Sequence, residues 1–322
     1  MPVDRPDPAD DPYDPGRRGP PDNPQPPGGA APADAPLPLN PAESDAIHRS
    51  HRDLVTRVHA AYHESAGDGT TGAAPDADHD RWSEALPSLR AAWAEHQDRY
   101  PERERATPLT HMDGSWSSGE TRRLSPEQNA EATKACADIH DEGERVALPI
   151  MRQIEAANPN GQLVGLDHML KGEDRLKEKI ADALRARPEL TATQALSIVP
   201  DPVRFTYECE PDRYAADVRA DVQRLKEMGL EEVKLKNLWS DEQYKGINSQ
   251  WRRPETGLRI EVQFHTPASL EAKELTHQAY ERIRSPDTSP TERTELEAFQ
   301  HRVNALLDTP PGTTDIRDFP EK

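Results

Sequence analysis

From Pro200 onward the apolar positions of the chain fall into a period of two. Val203, Phe205, Tyr207 and Cys209 alternate with polar residues, Leu230–Leu238 repeats the alternation, and Leu258, Ile260, Val262 and Phe264 repeat it again. Successive side chains point to opposite sides of a strand, so each stretch predicts a strand with one apolar face, and Pro211–Met228 between the first two predicts a helix. The last strand gathers Arg259, Glu261, Gln263 and His265 on its other side. That face either meets water or lines a site.

Upstream, three- and four-residue spacing takes over and predicts helices. In SPEQ, Ser125 is a cap, Pro126 suits the first helical position and Gln128 completes a capping box. The helix is expected to run to about Ala157 with a bend at Pro149, and Asn158-Pro159-Asn160-Gly161 ends it. A further helix is expected over Gly172–Ala186, and two shorter ones over Ala46–Ser65 and Asp80–Arg99, the latter interrupted at Pro87. Helices flanking a small sheet predict an α+β domain, a small mixed β-sheet flanked by helices, over residues 125–307. A helical region with low-complexity linkers (42–124) is expected before it and a tail (308–322) after it.

Composition changes the picture mainly at the ends. Of the 32 prolines in 322 residues, 14 precede Asp45. Met1–Pro41 therefore lacks the apolar anchors that would offset chain entropy and is expected to be disordered. Its acidic, proline-rich start is unlike a secretory signal, and no apolar run of spanning length occurs, so a soluble chain is expected, cytoplasmic or exported as an effector, with no membrane partner. Cys136 and Cys209 lie far apart and in no metal-ligand spacing. Neither a disulfide framework nor a zinc site is indicated.

The formal charge of −19 opposes a polyanionic partner, but Gly161–Ser285 holds 20 Lys and Arg against 22 Asp and Glu. The acidity belongs to the flanks, and this segment can hold a cationic pocket for a phosphate-rich small molecule. Within it, Lys171, Arg175 and Lys179 recur every four residues, a stripe that on a helix is either solvated, with Glu173 and Lys177 paired, or aimed at a ligand. Asp201 stands at a strand entrance, Arg204 on that strand, and Glu261 on the polar-faced strand. Phosphoryl-type transfer needs cations for the donor's phosphates and carboxylates for a divalent metal. Three spaced cations and two carboxylates fit that need, as they fit many salt-bridged surfaces.

The order of these residues resembles the synthetase domain of the RelA/SpoT family, nucleotidyltransferase-like pyrophosphokinases that make alarmones such as (p)ppGpp. Lys171, Arg175 and Lys179 resemble its K-x3-S-x3-K helix, with Arg175 where serine is usual. Asp201 and Arg204 resemble its metal-binding aspartate and the arginine that follows, at a shorter spacing. Gly246-Ile247-Asn248-Ser249-Gln250-Trp251 is similar to its G-Y-x-S-x-H loop, with Ile247 where a tyrosine stacks on the acceptor base. Glu261-Val262-Gln263-Phe264-His265-Thr266 is similar to its E-x-Q-[IV]-R-T strand, with His265 in place of arginine, and His277 and Tyr280 keep its H-x2-Y spacing. The roughly 80 residues before Ser125 are too few for the family's hydrolase domain, and the His79-Asp80 and His140-Asp141 pairs read as chance dipeptides. Trp82, Trp93, His48 and His51 read as packing and surface residues.

The resemblance implies an ATP donor bound by Lys171, Arg175, Lys179 and Arg204, and Mg²⁺ held by the catalytic pair Asp201 and Glu261. It implies a purine-nucleotide acceptor near Tyr244, Lys245, Asn248, Trp251, Gln263, His265 and His277, with (p)ppGpp- or (p)ppApp-type products and a toxin with an immunity or antitoxin partner among the roles. The alternatives are a tRNA 3′ end as acceptor, the one nucleic acid the acidic flanks leave open, and a non-catalytic nucleotide-binding protein.

Overall fold

The computed structural model describes residues 77–101, 106–285 and 287–320, all within a compact unit spanning Ala74–Lys322. The disorder expected for Met1–Pro41 and the helix expected over Ala46–Ser65 lie outside the described residues.

Helix α1 (Ala77–Arg99) continues through Pro87. Strands β1 (Leu109–Thr110), β2 (Trp116–Ser118) and β3 (Arg122–Leu124) form an antiparallel sheet where a helical region was expected. Strands of two or three residues carry too little alternation to be read as such. Helix α2 (Pro126–Glu142) has the predicted capping box between Ser125 and Gln128. A π-helical turn, Gly143–Ala147, leads without a break into α3 (Leu148–Ala157), and Pro149 follows directly on that turn. At Gly143 an added Cβ would lie 2.7 Å from Leu170 and 3.2 Å from Val203, so only glycine lets the helix approach this closely.

Strand β4 (Gly161–Val164), helix α4 (Glu173–Ala186) and the short α5 (Ala192–Ser197) follow. Then come β5 (Val203–Cys209), α6 (Tyr214–Glu227), β6 (Glu231–Asn237), β7 (Ile247–Arg252) and β8 (Arg259–His265). Helices α7 (Pro267–Arg284) and α8 (Pro290–Asn304) complete the domain. The sheet order is β4-β5-β8-β7-β6; β5 and β8 run parallel and the other neighbours antiparallel. β8 is thus an interior strand with both neighbours in place. Among the described residues no helix is long and apolar enough to cross a membrane.

Three apolar clusters hold this arrangement. One face of the sheet (Phe205, Tyr207, Ile247, Trp251, Ile260, Val262, Phe264) packs with α3 and α6. A second cluster joins Trp116 and Leu124 to α2, α4 and α5. The third joins Trp82 and Leu89 to α7 and α8, where Trp93 also stacks on Phe299, in keeping with a packing role for both tryptophans. Residues expected to form a tail instead return to the sheet: Phe319 exchanges backbone hydrogen bonds of 2.8 and 2.9 Å with Leu235 on the edge strand β6.

Candidate active site

Parallel pairing of β5 with β8 sets Arg204 directly beside Glu261, and the two form an ion pair through Arg204 Nε and Glu261 Oε2. Arg204 Nη2 also donates to Asp201 Oδ2 at 2.7 Å, which accepts from Lys171 Nζ at 2.6 Å. Asn248 donates to Glu261 Oε1 at 3.0 Å and Gln263 to Oε2 at 3.2 Å. Lys273 Nζ, from α7, donates to Gln263 Oε1 at 2.7 Å. The result is a continuous chain, Lys171–Asp201–Arg204–Glu261–Gln263–Lys273, with a lysine at each end.

The polar face of β8 is buried. Glu261 is 4% exposed, Gln263 6% and His265 0%, because β8 is interior and α7 folds back over it from the Thr266 capping box. Burying charges without close partners is costly. Here three cations meet two carboxylates, and the imbalance shows in the lysines. Burial lowers the Lys171 pKa although Asp201 beside it acts the other way. Burial, and then the Arg204 charge, lower that of Lys273 to about 8. Burial also opposes the charge on Arg204, but Glu261 and Asp201 outweigh it and hold the guanidinium firmly protonated. Two buried acceptors, Asp201 Oδ1 and Asn248 Oδ1, have no hydrogen-bond partner.

The remaining predicted residues divide into two groups. Arg175 and His277 stand at the rim, each reaching Glu281, at 3.8 and 3.9 Å, and the charge of Lys179 bears on Lys171. His277 has a pKa lowered by burial and then by Lys273, Arg204 and Arg175; its side chain is 59% exposed, so solvent screens much of this. Lys171 precedes α4 instead of riding on it, its backbone N–H bonded to Pro202 C=O at 3.1 Å and its C=O held by His140 Nε2 at 2.9 Å. His140 thus has a structural task.

Tyr244, Trp251 and His265 do not face an acceptor. Trp251 is fully buried opposite Ile260, its indole N–H donating to Ser249 Oγ at 2.9 Å. Tyr244, 4% exposed, lies 2.8 Å from His265 Nε2, and His265 Nδ1 lies 3.0 Å from Ser269 Oγ. Ser269 Oγ already donates to Thr266 C=O, which leaves it to accept Nδ1–H and leaves Nε2 to accept from the tyrosine hydroxyl. Burial holds this imidazole well below its ordinary pKa, as a neutral core group. Lys245 is turned aside, donating to Trp239 C=O at 2.7 Å. Position 247 is likewise interior, since Ile247 is fully buried opposite Phe264. Gly246–Trp251, similar in sequence to a loop motif, lies almost wholly in β7, which sends Ile247, Ser249 and Trp251 into the core.

One participant, Lys273, escapes a motif-based reading, and one neighbour in register, Gln250, does too. Lys273 is a single lysine in a helix, and only its four-residue spacing to His277 hints at a shared face. Gln250 is paired with Glu261 across β7 and β8. Alongside the network, a cavity of about 370 Å³ is lined by Asp138, Glu142, Pro202, Leu258 and Arg259, among others, and includes none of the networked side chains.

No family model and no curated protein matches the sequence. Solved structures do. A GTP pyrophosphokinase family protein from Streptococcus pneumoniae is 14% identical with a TM-score of 0.37, covering 57% of this chain and 90% of its own. Small alarmone synthetase 2 from Bacillus subtilis is 16% identical with a TM-score of 0.35, over 56% of this chain and 94% of its own. Small alarmone synthetase 1 from the same organism, bound to its product pppGpp, is 12% identical with a TM-score of 0.33, over 56% and 92%. At TM-scores this low the chemistry has to be read from this chain's own residues.

Proposed function

We propose that the protein transfers pyrophosphate from ATP to the 3′-hydroxyl of a purine nucleotide. The observation that carries this reading is the partly buried chain from Lys171 to Lys273, in which cations exceed carboxylates and Asp201 keeps a buried oxygen without a partner. A polyphosphate supplies the missing negative charge. Mg²⁺ commonly binds through one or two carboxylates together with substrate phosphates, and Asp201 Oδ1 fits as such a ligand. Glu261, both of whose oxygens already accept hydrogen bonds, is the second candidate. No group of three or more metal-ligating side chains occurs among the described residues, so the substrate's phosphates would complete the shell. Bound there, the metal would neutralise phosphate charge and polarise the phosphorus under attack.

The protein's own part is positioning and electrostatics. Lys171 and Arg204 hold phosphate oxygens, and Arg175 and Lys179 extend the cationic surface along α4. The acceptor's 3′-oxygen bonds to the β-phosphorus, the bond from that phosphorus to the α–β bridging oxygen breaks, and AMP leaves. The hydroxyl proton passes to solvent. Asn248, with an unpartnered buried oxygen, stands on the acceptor side of Glu261. A second reading has an observation of its own: Arg204 already bridges Asp201 and Glu261, as it would in a site that binds nucleotide without turnover. Incubation with Mg²⁺, labelled ATP and each of GDP, GTP, ADP and ATP distinguishes them. AMP and a 3′-pyrophosphorylated product are expected; nucleotide binding without AMP release would support the second reading instead.

A further inference from the structure

The capping box at Thr266 starts α7 directly after β8, so the helix turns back and packs on β5 and β8. Lys273, His277 and Tyr280 follow at four- and three-residue spacing, which puts them on one side of the helix, and all three sense the Arg204 charge. Lys273 differs from the other cations of the network in what it lacks. Lys171 and Arg204 are each bonded to a carboxylate, whereas among the described residues Lys273 has no carboxylate within ion-pairing distance. Its one hydrogen bond goes to a neutral amide oxygen, that of Gln263. An ammonium carries three N–H donors, so two remain uncommitted. Gln263, in turn, is oriented by that bond so that its NH₂ points at Glu261.

From this geometry we infer that Lys273 is a substrate-contacting residue, its ammonium binding non-bridging oxygens of the phosphate chain from the α7 side while Lys171 binds from the opposite end of the network. Gln263 serves as the arm that fixes the ammonium. A partly buried cation whose one hydrogen bond goes to an amide oxygen is compensated only at a distance by the Glu261 and Glu274 charges, and an oxyanion supplies the direct contact that Glu261, already shared among Arg204, Asn248 and Gln263, does not. The inference rests on the polyphosphate reading of the site, and its test separates the two.

The probe is inorganic pyrophosphate with Mg²⁺, titrated calorimetrically into the full chain and into Lys273→Met and Lys273→Arg variants, with melting curves on each. Lys273→Met is expected to weaken pyrophosphate binding at least about tenfold, as for loss of a hydrogen bond to a charged group, while melting no lower than the native protein. Lys273→Arg should stay within a few-fold. Unchanged pyrophosphate affinity in Lys273→Met would overturn the inference, and so would a lowered melting temperature with binding intact, which would make Lys273 structural. If the native protein binds no pyrophosphate at all, the polyphosphate reading falls and the inference with it. If it binds pyrophosphate through Lys273 yet yields no AMP from ATP, the contact stands and the transfer reaction alone fails.

Discussion

The two faces of the five-stranded sheet are made of alternate residues from the same strands, and both are covered, but they are stabilised in opposite ways. On one, Phe205, Trp251, Ile260, Val262 and Phe264 close against α3 and α6 through apolar contact. On the other, Arg204, Glu261, Gln263 and Asn248 lie under α7 with an excess of positive charge and two acceptors left without donors. The apolar face carries no charge to compensate, although the Tyr207 hydroxyl within it is also without a hydrogen-bond partner. The polar face gathers three cations against two carboxylates, and the proposed polyphosphate site rests on that imbalance.

The comparison is broken most severely by removing charge from the polar face. Asp201→Asn and Glu261→Gln should each leave the fold intact, since Arg204 keeps one carboxylate. Each should lower turnover by roughly a hundred- to several-thousand-fold, about 3–5 kcal/mol of transition-state stabilisation. Near-full activity in either variant, measured as AMP release, would remove that carboxylate from the chemistry. On the apolar face the expected losses are in stability alone. Trp251→Ala should cost about 3–5 kcal/mol and Ile247→Tyr about 1–3 kcal/mol through overpacking, both measured by denaturant unfolding. A gain of guanine-nucleotide affinity in Ile247→Tyr without destabilisation would show that position 247 faces the acceptor after all.

His265 allows a smaller, sharper test. Folded, it is held neutral by burial and by the nearby Lys273 charge; unfolded, it protonates near pH 6.5. The unfolded state therefore binds more protons at low pH. The contribution is complete above the unfolded pKa and is lost as pH falls below it, at up to about 1.4 kcal/mol per pH unit. His96, also lowered by burial, adds a slope of the same sign. His265→Gln should reduce the fall in unfolding free energy between pH 7 and 5.5 without abolishing it; an unaltered slope would mean that the imidazole is charged in the fold. The smallest effect is expected at the rim. Arg175, 47% exposed and paired with Glu178 at 3.0 Å, should change stability by no more than about 0.5 kcal/mol on substitution by alanine. The apparent affinity for ATP should fall only a few-fold.

The sequence is informative where alternation is long. β5, β6 and β8 and the helix between the first two lie within a few residues of expectation; of these seven-residue strands β5 displays four apolar positions on one side, β8 three and β6 two, Val233 and Leu235. Alternation set Glu261 on the polar side of its strand, whereas its place beside Arg204 follows from the parallel register of β5 and β8, which alternation does not reveal. The aromatic residues of 244–251 were misread because a strand's partner decides which side chains are interior, and that partner is not visible locally. Lys273 stayed hidden for the converse reason: nothing in a helix's own sequence says that one of its lysines lies over an interior strand.

The ion pair at the centre of the site joins residues 57 positions apart, through the one parallel pairing in the sheet. A contact of that separation carries a larger loop-closure cost than the local pairings within α6, β6 and β7. The geometry of the proposed site is therefore expected to form late in folding. On refolding from denaturant, helical signal should return before nucleotide binding does, and the delay between the two measures how long the molecule exists as a folded scaffold without a function.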